Sequence, residues 1–259
     1  MTVLPTSSGP TSSRPDDDPL VWVDRRAGTG VAFTSRRAGV SEGPFSGLNL
    51  GGHVGDDAAA VRRNRSTLAR AVGVDPGCLL FAEQVHGTAV VVADGPWRGA
   101  APAADGVVTT TPGLAIGVLV ADCLPVVLRA PAEGVVAVAH AGRRGMADGV
   151  VGNVLAAMRE LGAGRIDAVV GPSICARCYE VPATMRDDVA ARVPLSASVT
   201  RTGTPSLDLA AGVASQLVES GADVLVVPGC TAELHTLFSY RRDGRTGRFA
   251  GVAWMDRAP

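Results

Sequence analysis

The chain has 259 residues, 46% of them hydrophobic and 19% charged, a composition able to bury a substantial core in one α/β domain. A formal net charge of −1 without a long basic run argues against a surface built to neutralise polynucleotide phosphates. All 24 basic residues are arginine, which excludes a Schiff-base lysine, a P-loop lysine and a serine–lysine pair, and leaves anion binding to guanidinium forks and backbone amides.

Residues 1–20 are rich in Ser, Thr, Pro and Asp without an apolar leader, and read as a disordered tail ahead of one catalytic domain over 21–259. No apolar run approaches the roughly 20 residues that cross a bilayer, so no membrane partner is expected. Five cysteines without framework spacing read as free thiols of a cytoplasmic protein. Asp56 and Asp57 supply an N-cap for a helix over Ala58 to Val72, ended by Gly73. Valine-rich strands are predicted at Leu79 to Val85, Ala89 to Val92, Gly106 to Thr110, Leu114 to Val120, Pro125 to Leu128 and Val135 to Ala139. So many strands with so few helices between them imply hairpins in a mixed sheet. Beyond them the periodicity predicts a helix over Met146 to Leu161, a strand at Ile166 to Val170, helices over Ala183 to Arg192 and Leu209 to Ser220, and a strand at Val224 to Val227. Mixed sheets covered by helices account for this order.

Three strings stand out for their chemistry: Gln84-Val85-His86-Gly87, Ala121-Asp122-Cys123-Leu124 and Ala139-His140-Ala141-Gly142. Two imidazoles and one thiolate suit Zn²⁺ or copper, and three protein ligands leave a fourth position open, the arrangement of a catalytic ion. Two of only four histidines fall in this context, which packing alone explains poorly. The same atoms also allow a cysteine–histidine hydrolase in which His140 activates Cys123.

Other motifs say less. Cys175-Ala176-Arg177-Cys178 has the spacing of a redox pair or half a metal site, but Pro182 works against the helix that a thioredoxin-type pair needs. The stretch from Thr34 through Arg36 and Asn49 to His53 and Asp56 is arginine-bearing, dense in glycine and ends at a helix start, where backbone amides cradle oxyanions. Tyr240 and Arg241, within Phe238-Ser239-Tyr240-Arg241-Arg242-Asp243-Gly244, offer a ring for a base and a fork for phosphate.

Taken together, the strings resemble the YfiH family, also called the multicopper polyphenol oxidase or laccase-domain family, whose members are described as purine nucleoside phosphorylases. Phe33-Thr34-Ser35-Arg36, Asn49-Leu50-Gly51, His53-Val54-Gly55-Asp56, Asn64-Arg65, Gly171-Pro172-Ser173-Ile174, Cys178-Tyr179-Glu180-Val181, Leu207-Asp208-Leu209 and Ser239-Tyr240-Arg241-Arg242 carry the resemblance alongside the three metal strings. It implies a four-layer α/β/β/α sandwich with mixed sheets, shared with a toxin deamidase, and metal ligation by His86, Cys123 and His140. It also implies phosphorolysis of adenosine, inosine, guanosine and methylthioadenosine, together with adenosine deamination. The chain departs from the family where Arg143 stands in place of a tryptophan, where Ala38 replaces the first of two glycines, and where Cys175 occupies a common glycine position.

On this reading a three-ligand zinc, which lowers the pKa of bound water from about 15.7 to about 7, suits attack at purine C6. Phosphorolysis needs instead a grip on a phosphate dianion and on the departing base, roles assigned to Arg36, Asn49 and His53 with Arg144 in reserve. A copper-dependent polyphenol oxidase is the rival enzyme, and a metal-stabilised binding module without turnover is the rival outside enzymes. The second of these expects a closed fourth ligand. Polynucleotide is not an expected partner, and oligomeric state is not legible.

Overall fold

The computed structural model describes residues 17–257. Two antiparallel strands, β1 (Leu20–Arg26) and β2 (Thr29–Thr34), lead through a long connection to helix α1 (Ala58–Val72) and two short strands, β3 (Leu79–Phe81) and β4 (Val90–Val92). Strands β5 (Gly106–Thr109), β6 (Ala115–Val120), β7 (Leu124–Ala130) and β8 (Val135–Ala141) follow, then helices α2 (Arg143–Asp148) and α3 (Val150–Glu160). The last third comprises β9 (Asp167–Val170), α4 (Ala183–Ala190), β10 (Ala197–Val199), β11 (Pro205–Leu207), α5 (Leu209–Glu219), β12 (Asp223–Val226), α6 (Tyr240–Asp243) and β13 (Phe249–Met255).

Valine-rich strands bury both faces, and that requirement produces the layering. One mixed sheet runs β1-β2-β13-β6-β3 and the other β12-β9-β7-β8-β5-β4. Between them lie Phe33, Ile116 and Val118 from the first sheet, facing Val127, Val136 and Val138 from the second. Along β7 the period of two then turns Val126 and Leu128 to the opposite face, where Val154 and Met158 of α3 and Val213 of α5 cover them. On the far side, Leu68, Ala69 and Val72 of α1 cover Ala32, Ala115 and Trp254. The result is the α/β/β/α sandwich, with each fully buried valine or leucine contributing about 1.5–3 kcal/mol of transfer free energy. Close approach is enforced at Gly30, where a Cβ would lie 2.0 Å from the Trp254 ring.

Several local expectations need correction. The tail expected over 1–20 is not one of them: residues 1–16 lie outside the described residues, and Leu20, which donates its N–H to Asp18 Oδ1 at 2.8 Å, is the first residue of β1. The helix expected over Met146 to Leu161 is two helices, because Gly149 (φ 98°) closes α2 in the left-handed conformation before α3 begins. The strand expected over Leu79 to Val85 ends at Phe81. Beyond it the Gln84 amide imitates a ladder, accepting from Leu119 N–H at 2.7 Å and donating to Leu119 O at 2.9 Å, and so frees the chain to turn at His86. Strands β1, β2 and β13 were not predicted at all. Asp57 caps α1 as expected, accepting from Ala59 and Ala60 N–H, and no helix of the described residues is long and apolar enough to cross a membrane.

Candidate metal centre

Three different local structures bring the metal strings together. His140 lies near the end of β8, its backbone N–H donating to Asp105 O at 2.7 Å. Its Nδ1 stands 2.7 Å from Asp105 Oδ1, so the carboxylate holds the proton on Nδ1 and leaves Nε2 as the ligand atom. Asp105 is fully buried at the head of β5, and the same carboxylate accepts from the backbone N–H groups of Val85 at 3.1 Å, His86 at 3.0 Å and Gly87 at 2.7 Å. These bonds hold His86 at a φ of 57°, a conformation that few non-glycine residues adopt. Cys123 stands where the chain crosses from β6 in one sheet to β7 in the other, beside Asp122 at φ 93°. The Asp122 carboxylate is fixed from outside by Thr231 Oγ1, Ser239 Oγ and Arg241 N–H, each at 2.6 Å. Of the three candidate donors only His140 lies in a strand. His86 and Cys123 belong to irregular connections that the carboxylates of the buried Asp105 and the half-buried Asp122 hold in place.

The donor atoms of His86, Cys123 and His140 all lie within 4.8 Å of one another, with Cys123 Sγ 3.8 Å from His86 Nε2. The two imidazoles meet edge to face at 4.7 Å. Gly142 keeps the space beside them open, since a Cβ there would lie 3.1 Å from His86 Cδ2 and 3.2 Å from Cys123 Sγ. This donor set fits a tetrahedral Zn²⁺ with one position left for a ligand from outside. Cys123 and His140 also form a charge pair of their own. Burial alone would push the Cys123 thiol up, yet the charge and hydrogen bond of His140, with help from His86, bring it down to about 6. Burial likewise disfavours charge on His140, and Cys123 and Asp105 together outweigh it, raising the imidazole to about 9.

Other residues ring the opening. Burial first, then the positive charges of Arg248 and Arg65, push His53 below the usual imidazole range. Burial lowers Arg248, while the negative charges of Cys123 and Asp122 act in the opposite direction. Tyr179 is raised, chiefly by burial and then by the Cys123 charge, against a hydrogen bond with Arg143. Arg241 stacks on Tyr179 at 5.1 Å and donates to Glu180 O at 3.1 Å, and Tyr240 beside it is exposed. Three other predicted residues have different surroundings. Asn49 is buried, its Oδ1 accepting from Gly51 and Arg248 N–H and its Nδ2 donating to Gly51 O and Asp56 Oδ2. Arg36 donates from Nε and Nη2 to Ser46 O and lies over the Phe238 ring. Arg144 is exposed on the first turn of α2, whereas Arg143 faces Tyr179.

Sequence reasoning missed Asp105, Arg248 and the roles of Tyr179 and Asp122. For Asp105 the available signal was an acidic residue immediately before a strand of valines, where a carboxylate is buried only if several donors converge on it.

Comparison with known proteins agrees with this geometry. A family described as multi-copper polyphenol oxidoreductase laccase matches residues 30–256. Over 230 residues, 87% of this chain and 94% of the relative, the sequence is 52% identical to a Streptomyces griseus protein named purine nucleoside phosphorylase. The structure of Neisseria meningitidis protein NMB0706, of family DUF152, is similar at a TM-score of 0.83 and 37% identity, over 92% of this chain and 100% of that one. That of Bacillus licheniformis YfiH is similar at 0.80 and 29%, over 88% and 92%. With the match running from β2 through β13 and the four-layer fold held in common, the chain belongs to the YfiH (DUF152) family, as its metal strings had led one to expect.

Proposed function

We propose that the chain is a metal-dependent purine nucleoside phosphorylase acting on adenosine, inosine, guanosine and methylthioadenosine, with adenosine deamination at the same site. The observation that carries the reading is a three-donor set, His86, Cys123 and His140, with Arg248 near enough to feel the Cys123 charge, Arg65 and Arg248 acting on His53, and Arg143 hydrogen-bonded to Tyr179. An ion held there supplies Lewis acidity toward a substrate oxygen or nitrogen. In phosphorolysis a phosphate oxygen bonds to ribose C1′, the glycosidic C–N bond breaks, and the purine leaves with the electron pair and takes up a proton. A dianion beside a sugar asks for cationic donors, which Arg248 and Arg65 supply, with His53 beside them as a neutral hydrogen-bonding group. Arg241, held by the Glu180 carbonyl and the Tyr179 ring, and the exposed ring of Tyr240 form a wall suited to stacking a purine. Asn49 has its hydrogen-bonding positions filled and takes a positioning role, joining the 49–51 turn to Arg248. Arg36, turned to Ser46 O, and the exposed Arg144 take smaller parts. The name of the Streptomyces relative supports the same substrate class.

A multi-copper oxidase is disfavoured on ligand supply, because four histidines in the chain do not build both an electron-transfer copper and a multinuclear centre. A closed binding module is disfavoured by the three-donor set. The deciding experiment incubates metal-quantified protein with each nucleoside, with and without phosphate. Ribose 1-phosphate and free base that appear only with phosphate support phosphorolysis, and ammonia release from adenosine without phosphate supports deamination. Absence of both from every nucleoside overturns the reading, and phenol oxidation in the copper form alone would favour the rival enzyme.

A further inference from the structure

A second set of ligands lies outside the centre described above. Cys175 and Cys178 stand at the ends of a tight turn in which the N–H groups of Cys178 and Tyr179 both donate to Cys175 O, at 2.9 and 3.0 Å. Cys230 and Glu233 stand at the ends of a matching turn, with Glu233 and Leu234 N–H both donating to Cys230 O, at 3.1 and 2.9 Å. Each turn therefore presents its first and fourth side chains on one side. The sheet brings the two together: β9 and β12 are parallel neighbours in register from Asp167 with Asp223 to Val170 with Val226, so the chain leaves both strands at the same edge. Ser173 N–H donates to Gly229 O at 3.2 Å and Thr231 N–H to Ser173 O at 3.1 Å, continuing the pairing up to the turns.

The four donor atoms lie within 4.8 Å of one another. Bonds of about 2.3 Å to sulfur and about 2.0–2.2 Å to oxygen make a zinc tetrahedron with edges of roughly 3.5–3.8 Å. Cys178 Sγ and Cys175 Sγ stand 3.3 and 3.8 Å from Glu233 Oε1. Outer contacts orient the ligands: Cys175 N–H points at Cys230 Sγ at 3.4 Å, and Arg201 pairs with the Glu233 carboxylate, offsetting part of the negative charge that three thiolates and a carboxylate would bring. A disulfide would use two of these four groups, whereas an ion uses all of them.

We propose that Cys175, Cys178, Cys230 and Glu233 form a closed, four-ligand Zn²⁺ site with a structural role, separate from the His86, Cys123 and His140 centre. The ion cross-links the two loops that hold the wall of that centre. Thr231 donates to Asp122 Oδ1 from one loop, Ile174 N–H donates to Asp122 O at 3.0 Å from the other, and Cys178 O and Glu180 O accept from Arg241.

Metal counting on the full chain tests this without reference to turnover. Protein loaded with Zn²⁺ and desalted is expected to carry two ions, and Cys123→Ala and the double variant Cys175→Ser/Cys178→Ser one each. Loaded with Co²⁺, Cys123→Ala keeps the intense near-ultraviolet band of a multi-thiolate site and the double variant loses most of it. Should the double variant fail to fold, Glu233→Gln decides, since it spares all three thiols and is expected to weaken retention of the second ion about tenfold or more. A single ion per wild-type chain that Cys123→Ala removes entirely overturns the proposal. So does alkylation of Cys175, Cys178 and Cys230 in native protein at a rate that Zn²⁺ does not slow.

Discussion

The two cysteine-containing clusters are held by different means. His86, Cys123 and His140 come from distant parts of the chain and depend on groups that are not ligands: Asp105 fixes one imidazole and the backbone of the other, and Asp122 anchors the turn before Cys123. Cys175, Cys178, Cys230 and Glu233 come from two short turns whose own backbone hydrogen bonds aim the side chains. The difference matches what the two proposed sites would have to do. A set of three leaves a position for substrate and must be kept in shape from outside, whereas a set of four is completed by the ion it binds.

Cys123→Ala should separate the clusters most sharply, abolishing nucleoside turnover to background while the second ion remains, as read by product analysis alongside metal content. Asp105→Asn keeps all three ligands yet weakens their support, and a loss of about 10–100-fold in metal affinity or activity is expected. No loss beyond twofold would show that the first cluster orients itself as the second does. Gly142→Ala is milder. Its Cβ crowds His86 and Cys123, and the about 1 kcal/mol of mild overpacking corresponds to roughly fivefold weaker metal binding, measured by chelator competition.

The smallest effect concerns His53. Its folded pKa lies below the ordinary 6.5, so as pH falls from that value the unfolded chain takes up the proton before the folded one does, and stability declines until the folded group has also titrated. His53→Gln should remove that part of the decline below pH 6.5 in denaturant titrations and leave stability above pH 7 unchanged.

Much of the middle of the fold was legible because its signals are local. The Asp57 cap and Gly73 bound α1, and the valine runs of β5 to β8 announce strands buried on both faces. Strand β13 was not legible. Phe249-Ala250-Gly251-Val252-Ala253 becomes a strand because β2 and β6, both far away in sequence, pair with it on either side. His86, Cys123 and His140 could be singled out as candidate ligands from residue type and setting. Asp105, which holds two of them, could not, because its partners lie in separate segments and a carboxylate before a strand is ordinarily a turn residue. Asn49 and Arg36 read as anion-binding residues from their type and setting, and only the fold shows Asn49 bonded to Asp56 and the 49–51 turn and Arg36 donating to Ser46 O.

By itself, then, the amino-acid order determined the layered α/β class, singled out three candidate donors and left arginine as the cationic side chain available for an anion. Tertiary structure decided that those three donors converge, how the buried Asp105 carboxylate supports them, and that Cys175-Ala176-Arg177-Cys178 has Cys230 and Glu233 for neighbours. The physical reason is range. Propensity, capping and side-chain chemistry act over a few neighbouring residues, whereas hydrogen bonding, charge and ligation depend on distances in space that only the pairing of remote strands establishes.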